Sequence, residues 1–360
     1  VMLTGNNLAG NVTYARTLDI LFRGERELCF LPLAHAYSCA FNFLVPMAFG
    51  AHVFLLGKLP SPKILLKAFE EIKPNLILTV PLILEKIYKK MIAPQLNKRA
   101  MKLAMNVPLL NDRIYAQINK KLTDAMGGRF REVIVGGAAM NQEVADFLYK
   151  IKFPYTIGYG MTECGPLISY DNHKEYIPTS CGQILKGIME VRIDSEDPYN
   201  KVGEIQVRGE NVMKGYYKNE EATRNVFTDD GWLKTGDLGT IDVNNRIYIR
   251  GRSKTMILSS NGQNIYPEEI EAKLNNLPFV LESLIVEREG KLVGLVYPDY
   301  DMVDNTGIRH DDLPAIMEQN RKDLNKLLAP YEAITSIVLY PTEFEKTPKK
   351  SIKRYLYENY

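Results

Sequence analysis

Two short apolar runs that each end in glycines, with one helix-like stretch between them, limit this chain more than any other feature. Val133-Ile134-Val135 runs into Gly136-Gly137-Ala138, and Phe153 to Ile157 runs into Gly158-Tyr159-Gly160-Met161-Thr162-Glu163-Cys164-Gly165-Pro166. Short apolar runs bounded by turn residues predict buried strands, and Glu143 to Ile151 predicts a helix between them. Open α/β sheets bind ligands outside the ends of their strands. One crevice would then receive both glycine loops.

The residue types in these loops suggest a chemistry. Gly136 and Gly137 let the backbone approach a flat ring because no Cβ intervenes. Tyr159 offers a ring for stacking, Thr162 a hydroxyl for a phosphate oxygen, and Glu163 a hard oxygen ligand suited to magnesium. A dinucleotide fingerprint is excluded, because Glu163 stands where the third glycine of Gly158-Tyr159-Gly160 would be needed. No G-x-x-x-x-G-K-[ST] occurs, which excludes a P-loop NTPase of the usual kind. Taken alone, a strand followed by Gly-Tyr-Gly is more often a plain turn.

The length of 360 residues suggests two or three domains. Lys plus Arg (45) nearly balance Asp plus Glu (43), so the chain as a whole has no electrostatic footprint for nucleic acid or an anionic membrane. Cys29, Cys39, Cys164 and Cys181 share no C-x-x-C spacing and form no cluster with the four histidines. That argues against zinc and disulfide frameworks and fits a reducing cytoplasm.

Along the chain, Asn6 to Leu21 predicts a polar helix, and after Glu27 thirty residues pass without Lys, Arg, Asp or Glu. Pro32, His35, Asn42, Pro46, Gly50 and His52 interrupt that stretch, so buried strands and a core helix explain it better than a membrane span. His35 follows a strand-like run and reads as a structural or a site residue. From Pro60 the pattern is α/β: Lys63 to Ile72 helical, Leu76 to Val80 extended, Leu82 to Met91 helical, and 98 to 126 helical with a break near Pro108. After Tyr170 the strands become short: Met189 to Ile193, Glu204 to Arg208, Thr240 to Asp242 and Arg246 to Arg250. Asp237 would lie in a tight turn, either as a hairpin aspartate or as an acceptor for two ribose hydroxyls. Arg250, Arg252 and Lys254 would share one strand face. The organisation expected is an α/β part over 1–175, a β-rich subdomain over 176–252 and a small mobile α+β domain over 253–360.

The ordered set Gly136-Gly137-Ala138, Tyr159-Gly160-Met161-Thr162-Glu163, Thr235-Gly236-Asp237, Gly251-Arg252-Ser253-Lys254 and Tyr266-Pro267-Glu268-Glu269-Ile270-Glu271 resembles the AMP-forming adenylate synthetases. The likeness covers nearly the whole chain. Within that family, Thr79 to Tyr88 and Tyr159 to Ser169 are most similar to long-chain fatty acid CoA ligases. The resemblance implies an acyl-CoA synthetase-like fold and a reaction in two steps, with ATP, magnesium, a fatty acid and CoA as reactants. It implies that Gly137, Ala138 and Tyr159 hold adenine, that Gly136, Gly160 and Met161 also belong to the nucleotide site, that Thr162 meets a phosphate, and that Glu163 holds magnesium, with Thr162 and Glu163 catalytic. Asp237 and Arg252 would bind the ribose, Lys254 would be the hinge of the small domain, His35 would lie near the acyl entrance and Gly262 near the CoA thiol.

Two departures from the family pattern matter. The glycine- and hydroxyl-rich phosphate loop of the family is expected ahead of Val1-Met2-Leu3-Thr4, so residues 1–360 alone are expected to be inactive in adenylation. Thr347-Pro348 puts Lys350 and Ser351 where a Gly-Lys pair is expected, leaving Lys350, Lys349 or Lys353 for the catalytic lysine. A ligase for an aryl or amino acid, or a protein that binds acyl-AMP without turnover, are the alternatives. The resemblance also implies a cytoplasmic enzyme with no integral membrane segment, whose membrane contact would be peripheral, at the inner membrane surface.

Overall fold

The apolar runs of the first half become one parallel sheet. In a computed structural model, strands β1 (Arg26–Cys29), β2 (His52–Leu55), β3 (Leu76–Thr79), β4 (Glu132–Val135) and β5 (Tyr155–Ile157) align in the order β2-β1-β3-β4-β5, every neighbouring pair parallel. The structure describes all residues except 59, 97–100, 102, 103, 106, 260, 261, 347–351 and 358–360. The chain divides into two compact units, Val1–Thr235 with Thr240–Ile249, and Gly236–Gly239 with Arg250–Tyr360.

In the first unit, β3 and β4 are buried at every position because both faces of the sheet are covered. Alternation sends Leu76, Leu78 and Ile134 into one apolar cluster, and Leu28, Ile77, Val133, Val135 and Tyr155 into the other. The uncharged stretch after Glu27 is accounted for by β1 inside this sheet and by a helical segment from Ala36 to Phe49, π-wound over Cys39–Leu44. No described helix is long and apolar enough to cross a membrane. Three short strands follow the sheet, β6 (Tyr159–Gly160), β7 (Leu167–Tyr170) and β8 (Gln183–Ile184), paired antiparallel. Then come β9 (Met189–Asp194), β10 (Gly203–Gly209), β11 (Leu233–Ile241) and β12 (Ile247–Arg252), in the order β12-β11-β10-β9.

Several boundaries differ from the sequence reading. The first helix is Gly5–Ala15, ending six residues before Leu21, and Pro81–Ile87 passes into a π-wound turn over Tyr88–Ile92. Asp237 lies within nine-residue β11 rather than in a turn. Gly236 takes φ +74 inside that strand, so the Gly-Asp pair that suggests a turn is absorbed without ending the strand.

The second unit is built on β15 (Val280–Arg288), β16 (Lys291–Pro298) and β17 (Ile334–Leu339), after a small hairpin of β13 (Ile257–Leu258) and β14 (Asn264–Ile265). Helices Pro267–Leu274 and Leu313–Asn325 supply Ile270, Leu274, Met317 and Leu324 to the cluster on one side. Phe344 and Tyr357, near the C-terminal end, join Leu284, Val286, Val293 and Leu295 in a second cluster. Arg354 pairs with buried Glu271, which also accepts from the Ile285 N–H at 2.6 Å.

Glu27, like Glu132, is a carboxylate fully buried in the parallel sheet, but Glu27 is left partly unpaired. Its side chain is fully buried, one oxygen accepts from Asn42 Nδ2 at 2.7 Å, and the other has no partner among the described residues. Burial pushes its carboxyl up to about 8 from the ordinary 4.5. Between those values the folded protein keeps a proton that the unfolded chain releases, so stability falls as pH rises through that window. Glu27→Gln keeps an acceptor for Asn42 and has nothing to ionise. Glu271, pushed up to about 7 by burial, titrates in both proteins, so thermal melts are expected to show the wild type losing more stability across this window than the variant. Equal losses in the two proteins would contradict the assignment.

Candidate active site

Parallel strands share one carboxyl edge, and the loops leaving it are where the sequence reading puts the site. After β4, Gly136 N–H donates to Thr79 O at 3.1 Å, and after β5, Gly158 N–H donates to Val135 O at 3.0 Å. Both contacts carry the ladder one step past the strands. Tyr37, from the segment after β1, lies over Gly136, where a Cβ would meet the ring at 3.2 Å. Its hydroxyl donates to Ile134 O at 3.1 Å. Gly137 has φ +91, and Gly137 and Ala138 are exposed. His35 is half-buried and caps the following helical turn, its Nδ1 accepting from Tyr37 N–H at 3.3 Å.

The loop from Gly160 to Leu167 is fixed far more tightly. Met161 N–H donates to Pro166 O at 2.9 Å, and a Cβ on Gly160 would lie 2.1 Å from that same oxygen. No other residue fits at position 160 without moving the loop. Thr162–Cys164 form a single 3₁₀ turn closed by Gly165 at φ +62, where a Cβ would stand 2.8 Å from Asn7 O. Thr162 and Glu163 are half-buried, whereas Tyr159 is 7% exposed and packs in the core.

Two asparagines bind this loop's backbone, and a third binds the segment behind it. Asn11 Nδ2 donates to Gly165 O at 2.6 Å, and Asn11 Oδ1 accepts from Leu167 N–H at 3.1 Å. Asn211 Nδ2 donates to Leu167 O at 2.9 Å. Asn7 Nδ2 bridges Glu210 O and Val212 O at 2.7 and 2.8 Å, tying the helix to the segment that carries Asn211. The same segment reaches Glu163: Met213 N–H donates to its carbonyl at 2.8 Å, and Tyr216 Oη donates to its carboxylate at 3.1 Å. Burial, then the charge of Glu163, pushes the Tyr216 phenol up to about 12, so it stays a donor. Sequence reasoning missed these residues. Asn7 and Asn11 carry a weak signal, two amides four apart on one helix face. Tyr216 carries none, since its partner is 53 positions away.

In the second unit, Asp237 is buried and Arg252 Nε lies 3.1 Å from its Oδ1. Ser253 donates to Gly236 O through both N–H, at 2.9 Å, and Oγ, at 3.2 Å. Lys254 is exposed in the turn that follows β12, and Thr255 Oγ1 donates to Glu268 at 2.7 Å. Gly262 has φ +80 between β13 and β14, its N–H donating to Ser259 O at 2.9 Å. Lys349 and Lys350 lie outside the described residues, while Lys353 Nζ pairs with Glu345 at 3.1 Å.

The donor chemistry of the Glu163 loop suits magnesium, which takes one or two protein carboxylates and completes its shell with water and substrate phosphates. Thr162 stands beside it as a hydroxyl donor.

The fold is that of adenylate-forming enzymes. The o-succinylbenzoate coenzyme A synthetase of Bacillus subtilis, solved in complex with ATP and magnesium ion, superposes with a TM-score of 0.74 at 22% identity, over 98% of this chain and 65% of that one. The family model described as AMP-binding enzyme matches residues 1–217, and the chain belongs to that family. Among curated relatives, the long-chain-fatty-acid–CoA ligase FadD15 of Mycobacterium bovis is 28% identical over 98% of this chain. The peroxisomal long chain acyl-CoA synthetase 7 of Arabidopsis thaliana is 29% identical over 98% of it. The chain spans 64% and 56% of the length of those two relatives.

Asn11→Ala would strand the buried Gly165 carbonyl and Leu167 N–H. The expected cost is about 3 kcal/mol, from a desolvation penalty of roughly 1–3 kcal/mol for each unpaired group. Denaturant unfolding measures it, and a loss under about 0.5 kcal/mol, the scatter of an ordinary surface substitution, would show that the amide does not hold the loop.

Proposed function

We propose that the complete protein is a long-chain fatty acid CoA ligase. A fatty acid carboxylate attacks the α-phosphate of ATP, giving acyl-AMP and pyrophosphate. The thiol of CoA then attacks the acyl carbonyl, losing its proton, and AMP leaves. The observation that carries this reading is the Glu163 carboxylate, half-buried beside Thr162 on a loop whose backbone is held by Asn11 and Asn211. The names of the curated relatives support the acyl class.

The residues divide the work by their chemistry. The exposed main chain at Gly137 and Ala138, with Gly136 and the Tyr159-Gly160-Met161 backbone, accepts the flat adenine. Thr162 donates to a phosphate. Glu163 holds magnesium, which when bound neutralises charge on the phosphates during the first step. Asp237, with Arg252 paired to its carboxylate, binds the ribose, the aspartate accepting from the ribose hydroxyls. His35 lies at the acyl entrance and Gly262 near the CoA thiol. The domain from residue 253 rotates about Lys254 between the steps, so that a lysine, Lys350 by sequence, serves adenylation and then gives way to CoA.

The test is pyrophosphate release and CoA-thioester formation by the complete protein, across acids from acetate to oleate. Activity that rises with chain length is expected, and Glu163→Gln should lower kcat/KM on the order of 100-fold, the scale on which preorganised charge stabilisation acts. A preference for aryl or amino acids would reassign the substrate. ATP binding without turnover of any acid would overturn the ligase reading.

A further inference from the structure

The one side-chain donor to the Glu163 carboxylate among the described residues is the Tyr216 hydroxyl, 3.1 Å from Oε1. Tyr216 is itself restrained at every level. Its N–H donates to Thr223 Oγ1 at 2.9 Å, and that hydroxyl donates onward to Asn219 O at 2.8 Å. Asn219 caps the helix Glu220–Val226, its side chain accepting from Ala222 N–H at 3.0 Å. Just before Tyr216, Gly215 has φ +143 and leaves no room for a Cβ, which would meet Thr223 Cγ2 at 2.6 Å. Lys214 N–H donates to Met2 O at 3.0 Å and Met2 N–H to Gly215 O at 2.8 Å, so the approach to Tyr216 is pinned on both sides. The ring packs against the same apolar cluster that holds Tyr159 and Cys164.

A carboxylate on a half-buried turn has several rotamers open to it, and a divalent ion that demands near-ideal octahedral geometry penalises all but one. A phenol fixed by ring packing and by its own backbone selects among them. It occupies one lone-pair direction of Oε1 and leaves Oε2 for the ion. We propose that Tyr216 is a positioning residue that sets the Glu163 carboxylate for magnesium, with Thr223 holding Tyr216 in turn. This rests on the reading of Glu163 as the magnesium residue. Groups that orient a metal ligand typically change metal affinity 10- to 100-fold when removed.

The experiment measures binding of α,β-methylene-ATP to the complete protein by calorimetry, without and with saturating Mg²⁺, for wild type, E163Q, Y216F, T223A and Y217F. The readout is the factor by which Mg²⁺ tightens the nucleotide. Y216F is expected to lose about tenfold of that factor, the low end of the range for a residue behind a ligand, with metal-free affinity and thermal midpoint unchanged. T223A should lose less, in the same direction, and exposed Tyr217 should not matter. A Y216F protein with wild-type Mg²⁺ tightening, beside an E163Q protein that has lost it, overturns the role of Tyr216 alone. An E163Q protein that keeps the full tightening overturns the reading of Glu163 and the inference with it. Equal weakening of metal-free and metal-bound nucleotide by Y216F, with a lower midpoint, would make Tyr216 structural and also overturn the inference.

Discussion

A buried backbone segment outside helix and sheet has no ladder to satisfy it, and side chains must supply the partners. In this protein the side-chain amides of Asn7, Asn11 and Asn211 do so for the loop around Glu163 and for the segment behind it. Each amide offers donors and an acceptor on one rigid plane, so it fixes distance and direction together. The consequence reaches further than stability. A half-buried carboxylate is useful to a cation only if the turn beneath it keeps its place, and here the turn is pinned by a helix at the start of the chain and a segment some two hundred positions later.

The parallel sheet sets the stage for that loop. Because β1, β3, β4 and β5 run in one direction, the loops with Tyr37, Gly136-Gly137 and Gly158 leave the same edge. Close packing of Tyr37 on Gly136, and of the Pro166 carbonyl on Gly160, explains the glycines by contact rather than by flexibility. In the second unit a separate device holds Asp237: a glycine with positive φ one residue before it, a serine bonded to that glycine's carbonyl, and Arg252 on its carboxylate.

Much of this was legible in the sequence, for identifiable reasons. Val133–Val135 and Leu76–Val80 read as strands because both sheet faces are buried, which leaves no polar alternation to confuse the pattern. The glycine loops were visible because glycine marks steric constraint directly. Asp237 was misread as a turn residue, since local chemistry cannot distinguish a turn glycine from one tolerated inside a strand. Tyr216, Asn7 and Asn11 were invisible as site residues because their roles come from partners distant in sequence. Glu27 passed as the last charge before an uncharged stretch, and its burial became apparent only when β1 took an inner place in the sheet.

The measurement that tests the account most directly is a crystal structure of the complete protein with a non-hydrolysable acyl-adenylate analogue. The account predicts adenine against the backbone of Gly136–Ala138 and Tyr159–Met161, with the group replacing the α-phosphate beside Thr162. A ligand bound away from the carboxyl edge of the parallel sheet, with the Glu163 loop untouched, would contradict it.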